Sequence, residues 1–106
     1  MLDHAEEALL FATGRRRSDL DADRALNLSL TRLLEVIGEA AARVTEPTRN
    51  QCPQIPWPQI VGLRNRLIHG YDLVDFDVLW RIVQNDLPPL VTELRSILAS
   101  GSPPTP

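Results

Sequence analysis

Hydrophobic positions along the chain recur at spacings of three and four, the period of an amphipathic helix, and no stretch sustains the alternation of a strand. Over residues 2–13 the stripe consists of Leu2, Ala5, Leu9, Leu10 and Ala12, and Gly14 stops it. Arg15-Arg16-Arg17 then makes a basic loop, open to reading as a solvated turn or a phosphate-contacting rim, and Ser18-Asp19-Leu20-Asp21 supplies capping oxygens and first-turn acids. One long pattern over residues 21–44, carried by Ala22, Leu26, Leu30, Leu33, Leu34, Ile37, Ala41 and Val44, predicts the central helix. Gly38, Ala40, Ala41 and Ala42 leave room near its end for another helix. Glu35 and Glu39 lie one turn apart beside them, as a solvated edge or an acid–base pair.

Residues 46–58 hold four prolines, Pro47, Pro53, Pro56 and Pro58, and are expected to form an ordered loop rather than helix. Trp57 is expected to pin that loop to the core, and Pro58 to open a third helix over residues 58–68 with Ile60, Leu63 and Leu67 inward and Gly70 as its stop. Asp72 or Asp75 then caps a fourth helix that runs to about Ala99 on Val78, Leu79, Ile82, Val83, Leu87, Leu90, Leu94, Ile97 and Leu98, kinked or briefly interrupted at Pro88-Pro89. The predicted fold class is all-α: an antiparallel bundle of four to five helices in one domain, residues 1–99, followed by a disordered tail, residues 100–106.

A length of 106 residues suits one domain, and no run approaches the ~18 apolar residues of a membrane span. The N-terminal stretch is acidic where a secretory signal is basic, so the expected location is the cytoplasm, with no membrane partner. Cys52 stands alone, without a disulfide partner or companions at metal spacing, and reads as a packing thiol; neither cofactor nor metal is expected. A net charge of −3 argues against a protein that coats nucleic acid, so any contact with phosphate is local, and no DNA partner is expected. All eleven basic residues are arginine, a planar fork suited to phosphate.

The chemistry gathers in Arg64-Asn65-Arg66-Leu67-Ile68-His69-Gly70-Tyr71: cations, an amide, an imidazole and a phenol within a single short stretch. Each polar residue alone has an ordinary reading, a helix-end histidine, a surface arginine or a packing tyrosine. Their clustering beside a glycine makes a functional reading the better one. At ~100° per residue on a straight helix, Arg64 and His69 point roughly 140° apart. Bringing both to one atom requires either unwinding at Gly70 or a second copy of the chain across a two-fold axis.

On Leu34-Glu35-Val36-Ile37-Gly38-Glu39-Ala40, Ile55-Pro56-Trp57, residues 62–71, Leu79-Trp80-Arg81-Ile82-Val83 and Asp86-Leu87-Pro88, the chain resembles HepT-like proteins of the HEPN superfamily. The family's Arg-x4-His-x-Tyr motif falls on Arg64, His69 and Tyr71, and Asn65 agrees with the usual pattern. The resemblance implies a homodimer with both motifs facing one cleft. It also implies a toxin ribonuclease of a type VII-like toxin–antitoxin pair, with a nucleotidyltransferase of the MntA type as antitoxin. Arg64 and His69 would be catalytic, Asn65 and Arg66 supporting, and Tyr71 the hydroxyl that the antitoxin modifies with adenylate (AMPylation). Gly70 departs from the family, where a larger or acidic residue is common, and the first helix is short.

RNA, whether transfer or messenger, is the implied substrate. It can be cut without metal when its own 2′-hydroxyl attacks the adjacent phosphorus, given a base for the proton and positive charge for the equatorial oxygens. Histidine titrates in the range that proton exchange needs, and arginine supplies permanent charge. The alternative from another class is a noncatalytic HEPN dimer that binds a partner or nucleotide.

Overall fold

A computed structural model describes residues 1–68 and 73–99, and within them the chain is mostly helical, with no strand beyond one isolated bridge. Helix α1 (Leu2–Ala12) buries Ala5, Ala8 and Ala12 against α3 and α8, while Leu10 is exposed and Leu9 half-buried. The inward face is the alanine row at spacings of three and four: Ala5 and Ala12 are buried as the stripe predicts, Leu2 and Leu9 pack partly buried beside them, Ala8 joins them and Leu10 departs to solvent. Small side chains there let the backbones approach closely.

The long pattern divides. Helix α2 (Asp19–Ala22) is a single turn, and Asp23, extended at φ −118°, ψ 97°, separates it from the central helix α3 (Arg24–Ala42). Asp23 caps α3 by accepting a hydrogen bond from the Leu26 amide at 3.0 Å, a carboxylate at the positive end of a helix dipole. Leu26, Leu30, Leu33, Leu34, Ile37 and Ala41 are buried as the spacing predicts. Asn27, which a hydrophobic count passes over, is also buried and donates from Nδ2 to the Leu20 carbonyl at 2.8 Å, tying α2 to α3.

The proline-rich stretch is not all loop. Helix α4 (Glu46–Gln51) forms inside it, because Pro47 stands in the first turn, where no amide donor is needed. Arg49 reaches from α4 to the exposed carbonyls at the end of α3, donating to Ala41 at 3.0 Å and Ala42 at 3.3 Å, with its guanidinium 5.8 Å from the Trp57 ring centre. Trp57 is buried and donates from Nε1 to the Cys52 carbonyl at 3.0 Å, so it pins the loop as expected, and Cys52 is a buried packing thiol.

The expected third helix is two, α5 (Trp57–Val61) and α6 (Leu63–Leu67), meeting at Gly62. Central helix α3 lies against both, and it does so at Gly38: a Cβ there would stand 3.2 Å from the Ile60 carbonyl oxygen. The last pattern comprises α7 (Phe76–Arg81), a π-helical turn (Ile82–Asp86) and α8 (Leu87–Ala99). The Leu87 amide bonds to the Ile82 carbonyl, five residues back, and the widened turn accommodates Pro88 and Pro89 in the first turn of α8, where their missing donors leave no ordinary helical ladder broken. Asp75, one of the two candidate caps, accepts from the amides of Asp77 at 3.0 Å and Val78 at 3.1 Å. Asp72, Gly70 and residues 100–106 lie outside the described residues. So does the test of an ordered domain against a tail.

Candidate active site on helix α6

Helix α6 is short enough for its sequence to settle its faces. Leu63 and Leu67, four apart, are buried, and Arg64, Asn65 and Arg66 are left outside. Arg64 and Arg66 stand about 200° apart around the axis, with Asn65 between them, so the two arginines flank one exposed ridge. Each finds a different carboxylate. Arg64 Nε lies 3.5 Å from Glu35 Oε2 on α3, with the arginine side chain 67% exposed and the glutamate 24%. Arg66 Nη1 donates to Asp86 Oδ2 at 2.7 Å, at the end of the π turn. The contact to Glu35 is made through Nε, and the guanidinium is otherwise mostly exposed, with no other carboxylate partner among the described residues. The Asn65 side chain has no hydrogen-bond partner among the described residues.

The glutamates one turn apart on α3 do not act as a pair. Glu35 serves Arg64, and Glu39 lies 3.6 Å from Arg32. Neither Glu35 nor Asp86 stands out in the sequence as a partner for α6, because the contacts cross between elements and no local motif marks them.

Helix α6 ends at Leu67, one residue sooner than the apolar spacing suggests. Ile68 is extended at φ −79°, ψ 127°, and pairs with Val74 in an isolated antiparallel bridge, while the Asp75 amide donates to the Leu67 carbonyl at 2.8 Å. His69 and Tyr71, the other two residues of the motif, lie outside the described residues. The described chain on either side is nonetheless informative. A helical turn angle does not carry past Leu67, so the angle of roughly 140° between Arg64 and His69 on a straight helix does not apply.

The triple arginine is largely neutralised within the fold. Arg15 lies 3.3 Å from Asp23, and Arg17 contacts Asp21 at 3.1 Å and Asp77 at 2.6 Å while lying over the Phe76 ring. Hydrogen bonds to Asp77 and then Asp21 push the Arg17 guanidinium further above its ordinary range, so it stays charged and braces α2 against α7. Among the described residues no group of three or more His, Cys, Asp or Glu is placed to hold a metal ion, and no helix is long and apolar enough to cross a membrane.

Fold and ridge together define a small all-helical protein with an arginine-flanked edge leading into a histidine- and tyrosine-bearing segment. A model described as "Ribonuclease HepT-like" matches residues 1–97, and the chain belongs to this HepT-like family of the HEPN superfamily. Protein MJ1380 of Methanocaldococcus jannaschii, named as a candidate RNase, is 32% identical over 97 residues, covering 92% of this chain and 89% of that protein. TTE0752 of Caldanaerobacter subterraneus, also named as a candidate RNase, is 32% identical over 80 residues, 76% of this chain and 71% of the relative. A Thermococcus cleftensis protein named "Probable ribonuclease HepT" is 38% identical over 72 residues, 68% of this chain and 66% of its own. No solved structure matches.

Proposed function

We propose that this protein is the toxin ribonuclease of a type VII-like toxin–antitoxin pair, acting in the cytoplasm as a homodimer that cuts RNA without a metal ion. The observation that carries the reading is Arg64. On a helix whose apolar positions are filled by Leu63 and Leu67, its guanidinium stands mostly in solvent, oriented by Glu35 and not consumed by it. That is the disposition of a group kept for an external anion. The family and the ribonuclease names of its relatives support RNA as that anion's source.

In the proposed reaction His69 takes the proton of a ribose 2′-hydroxyl as the 2′-oxygen attacks the adjacent phosphorus. The bond to the 5′-oxygen breaks, and that oxygen receives a proton from the second protomer's histidine. Arg64 holds the phosphate oxygens as negative charge builds on them. Products are a 2′,3′-cyclic phosphate and a 5′-hydroxyl. Asn65 and Arg66 support the site by orienting the strand along the ridge. Tyr71 is the regulatory handle: adenylate added to its hydroxyl by an MntA-type nucleotidyltransferase would place negative charge before the cations that receive RNA.

Arg64→Ala and His69→Ala are each expected to lower cleavage by about 10²–10⁴-fold, the range for losing an acid–base or charge-stabilising group. Circular dichroism should be unchanged, since neither residue belongs to the apolar stripe of the sequence. A variant that cuts like the parent would overturn the assignment and favour the noncatalytic reading.

A further inference from the structure

Beside the ridge, on the side of Arg66, lies a cavity of about 290 Å³ between the loop before α5 and the start of α8. Its floor includes the buried Ile55 and Leu90, and its rim carries Gln59, Asn85 and Glu93, with Arg66 and Asp86 at the edge nearest α6. The rim side chains of Gln59, Asn85 and Glu93 have no hydrogen-bond partners among the described residues. Buried apolar side chains thus lie beside amide and carboxylate groups that have no partner among the described residues, a mixed lining that suits an occupant with apolar faces and polar edges.

Charge and size narrow the choice. The carboxylates of Asp86 and Glu93 outnumber the single cation Arg66, so a phosphate is disfavoured. The volume falls at the lower end of the ~300–1,000 Å³ of small-molecule pockets, which suits one heterocycle and not two. Arg66, held by Asp86 at 2.7 Å, presents a guanidinium plane of the kind on which unstacked bases of RNA lie. The Glu93 carboxylate, without a partner among the described residues, can accept two hydrogen bonds side by side, and guanine offers two adjacent donors on its Watson–Crick edge. Uracil presents a single N–H there between two carbonyls, so a carboxylate gains one hydrogen bond and sets its second oxygen against a carbonyl.

We infer that this cavity is a base-reading subsite, selective for guanine, that takes a nucleotide one or two positions from the phosphate held by Arg64. The inference rests on the proposed ribonuclease reading and adds to it a sequence preference and the residues that set it. Arg64 and Arg66 on opposite flanks of α6 define the path: the strand crosses the ridge at Asn65, with its scissile phosphate on one flank and the read base on the other. The amides of Gln59 and Asn85 supply further donors and acceptors at the rim.

The test uses short, otherwise uridine-only RNAs that carry one guanosine or none, scored both for cleavage and for binding by fluorescence anisotropy. The parent should cut within two nucleotides of the guanosine and prefer that RNA at least about fivefold, the lower end for a two-bonded base contact. Glu93→Gln and Gln59→Leu should each lower the preference toward one, a ratio that a merely structural role would not move. Cleavage without a guanosine preference, or a preference that both variants retain, would overturn the subsite and leave the ribonuclease reading standing. A guanosine preference in binding with no cleavage by the parent would overturn the ribonuclease reading and leave the subsite standing.

Discussion

Arg64 and Glu35 form a pair whose worth lies in direction and not in stability. With the arginine two-thirds exposed, the ion pair contributes at most about 1 kcal/mol and is screened by salt. What it fixes is the azimuth of a long flexible side chain, and a misdirected phosphate ligand is costly to a reaction that depends on near-attack geometry. Glu35→Gln, which can still accept one hydrogen bond, should lower the melting temperature by no more than about 4–8 °C, the shift that about 1 kcal/mol makes in a domain of this size, while lowering kcat by about tenfold, the scale of a modest positioning loss. Cleavage kinetics alongside a thermal melt separate the two effects. Tyr71 carries the complementary expectation. Tyr71→Phe should retain most of the cleavage activity and escape inhibition by a nucleotidyltransferase and ATP, with mass spectrometry finding adenylate on the parent only. Equal modification of both proteins would move the acceptor elsewhere.

At the scale of elements, the crossing of α3 over the α5–α6 joint sets where the ridge stands. Gly38 permits it, since a side chain there meets the Ile60 carbonyl at 3.2 Å and the Leu63 Cβ at 3.7 Å. Gly38→Val should destabilise the fold by about 1–3 kcal/mol through overpacking, read as a lower urea midpoint, and should displace α6 enough to weaken cleavage as well. The sequence showed this contact in outline, because a cluster of small residues on a helical stripe is visible without coordinates. It also showed the buried face of α3 and the role of Trp57, both consequences of spacing and side-chain size. The breaks escaped it. Asp23 interrupts a continuous apolar pattern because a carboxylate can cap, Gly62 divides one amphipathic segment into two, and the interruption expected at Pro88-Pro89 takes the form of a π turn ahead of them. Helix α4 was hidden by a proline whose position in the turn, and not its presence, decides the outcome. Of the candidate site, the motif residues were legible and their carboxylate partners were not: the Glu35 and Asp86 contacts depend on packing between distant elements.

For the whole molecule, the proposed function requires an acidic chain with net charge −3 to meet RNA through a limited surface. The triple arginine does not supply one, as Arg15 and Arg17 are paired with aspartates. The α6 ridge is the stronger candidate, and two copies of it facing across a two-fold axis would double its charge and provide both a base and an acid. Light scattering should accordingly give a homodimer at micromolar concentration. In the proposed mechanism RNA is cut by its own 2′-hydroxyl at Arg64 and His69 with no metal ion. The decisive experiment is cleavage of a labelled RNA by the parent protein in excess EDTA, beside the same RNA carrying a single 2′-deoxy sugar at the cut site. This mechanism predicts undiminished cutting of the first, leaving a 2′,3′-cyclic phosphate and a 5′-hydroxyl, and none at the substituted position in the second. Activity lost in EDTA and restored by magnesium, or cutting at the deoxy position, would contradict it.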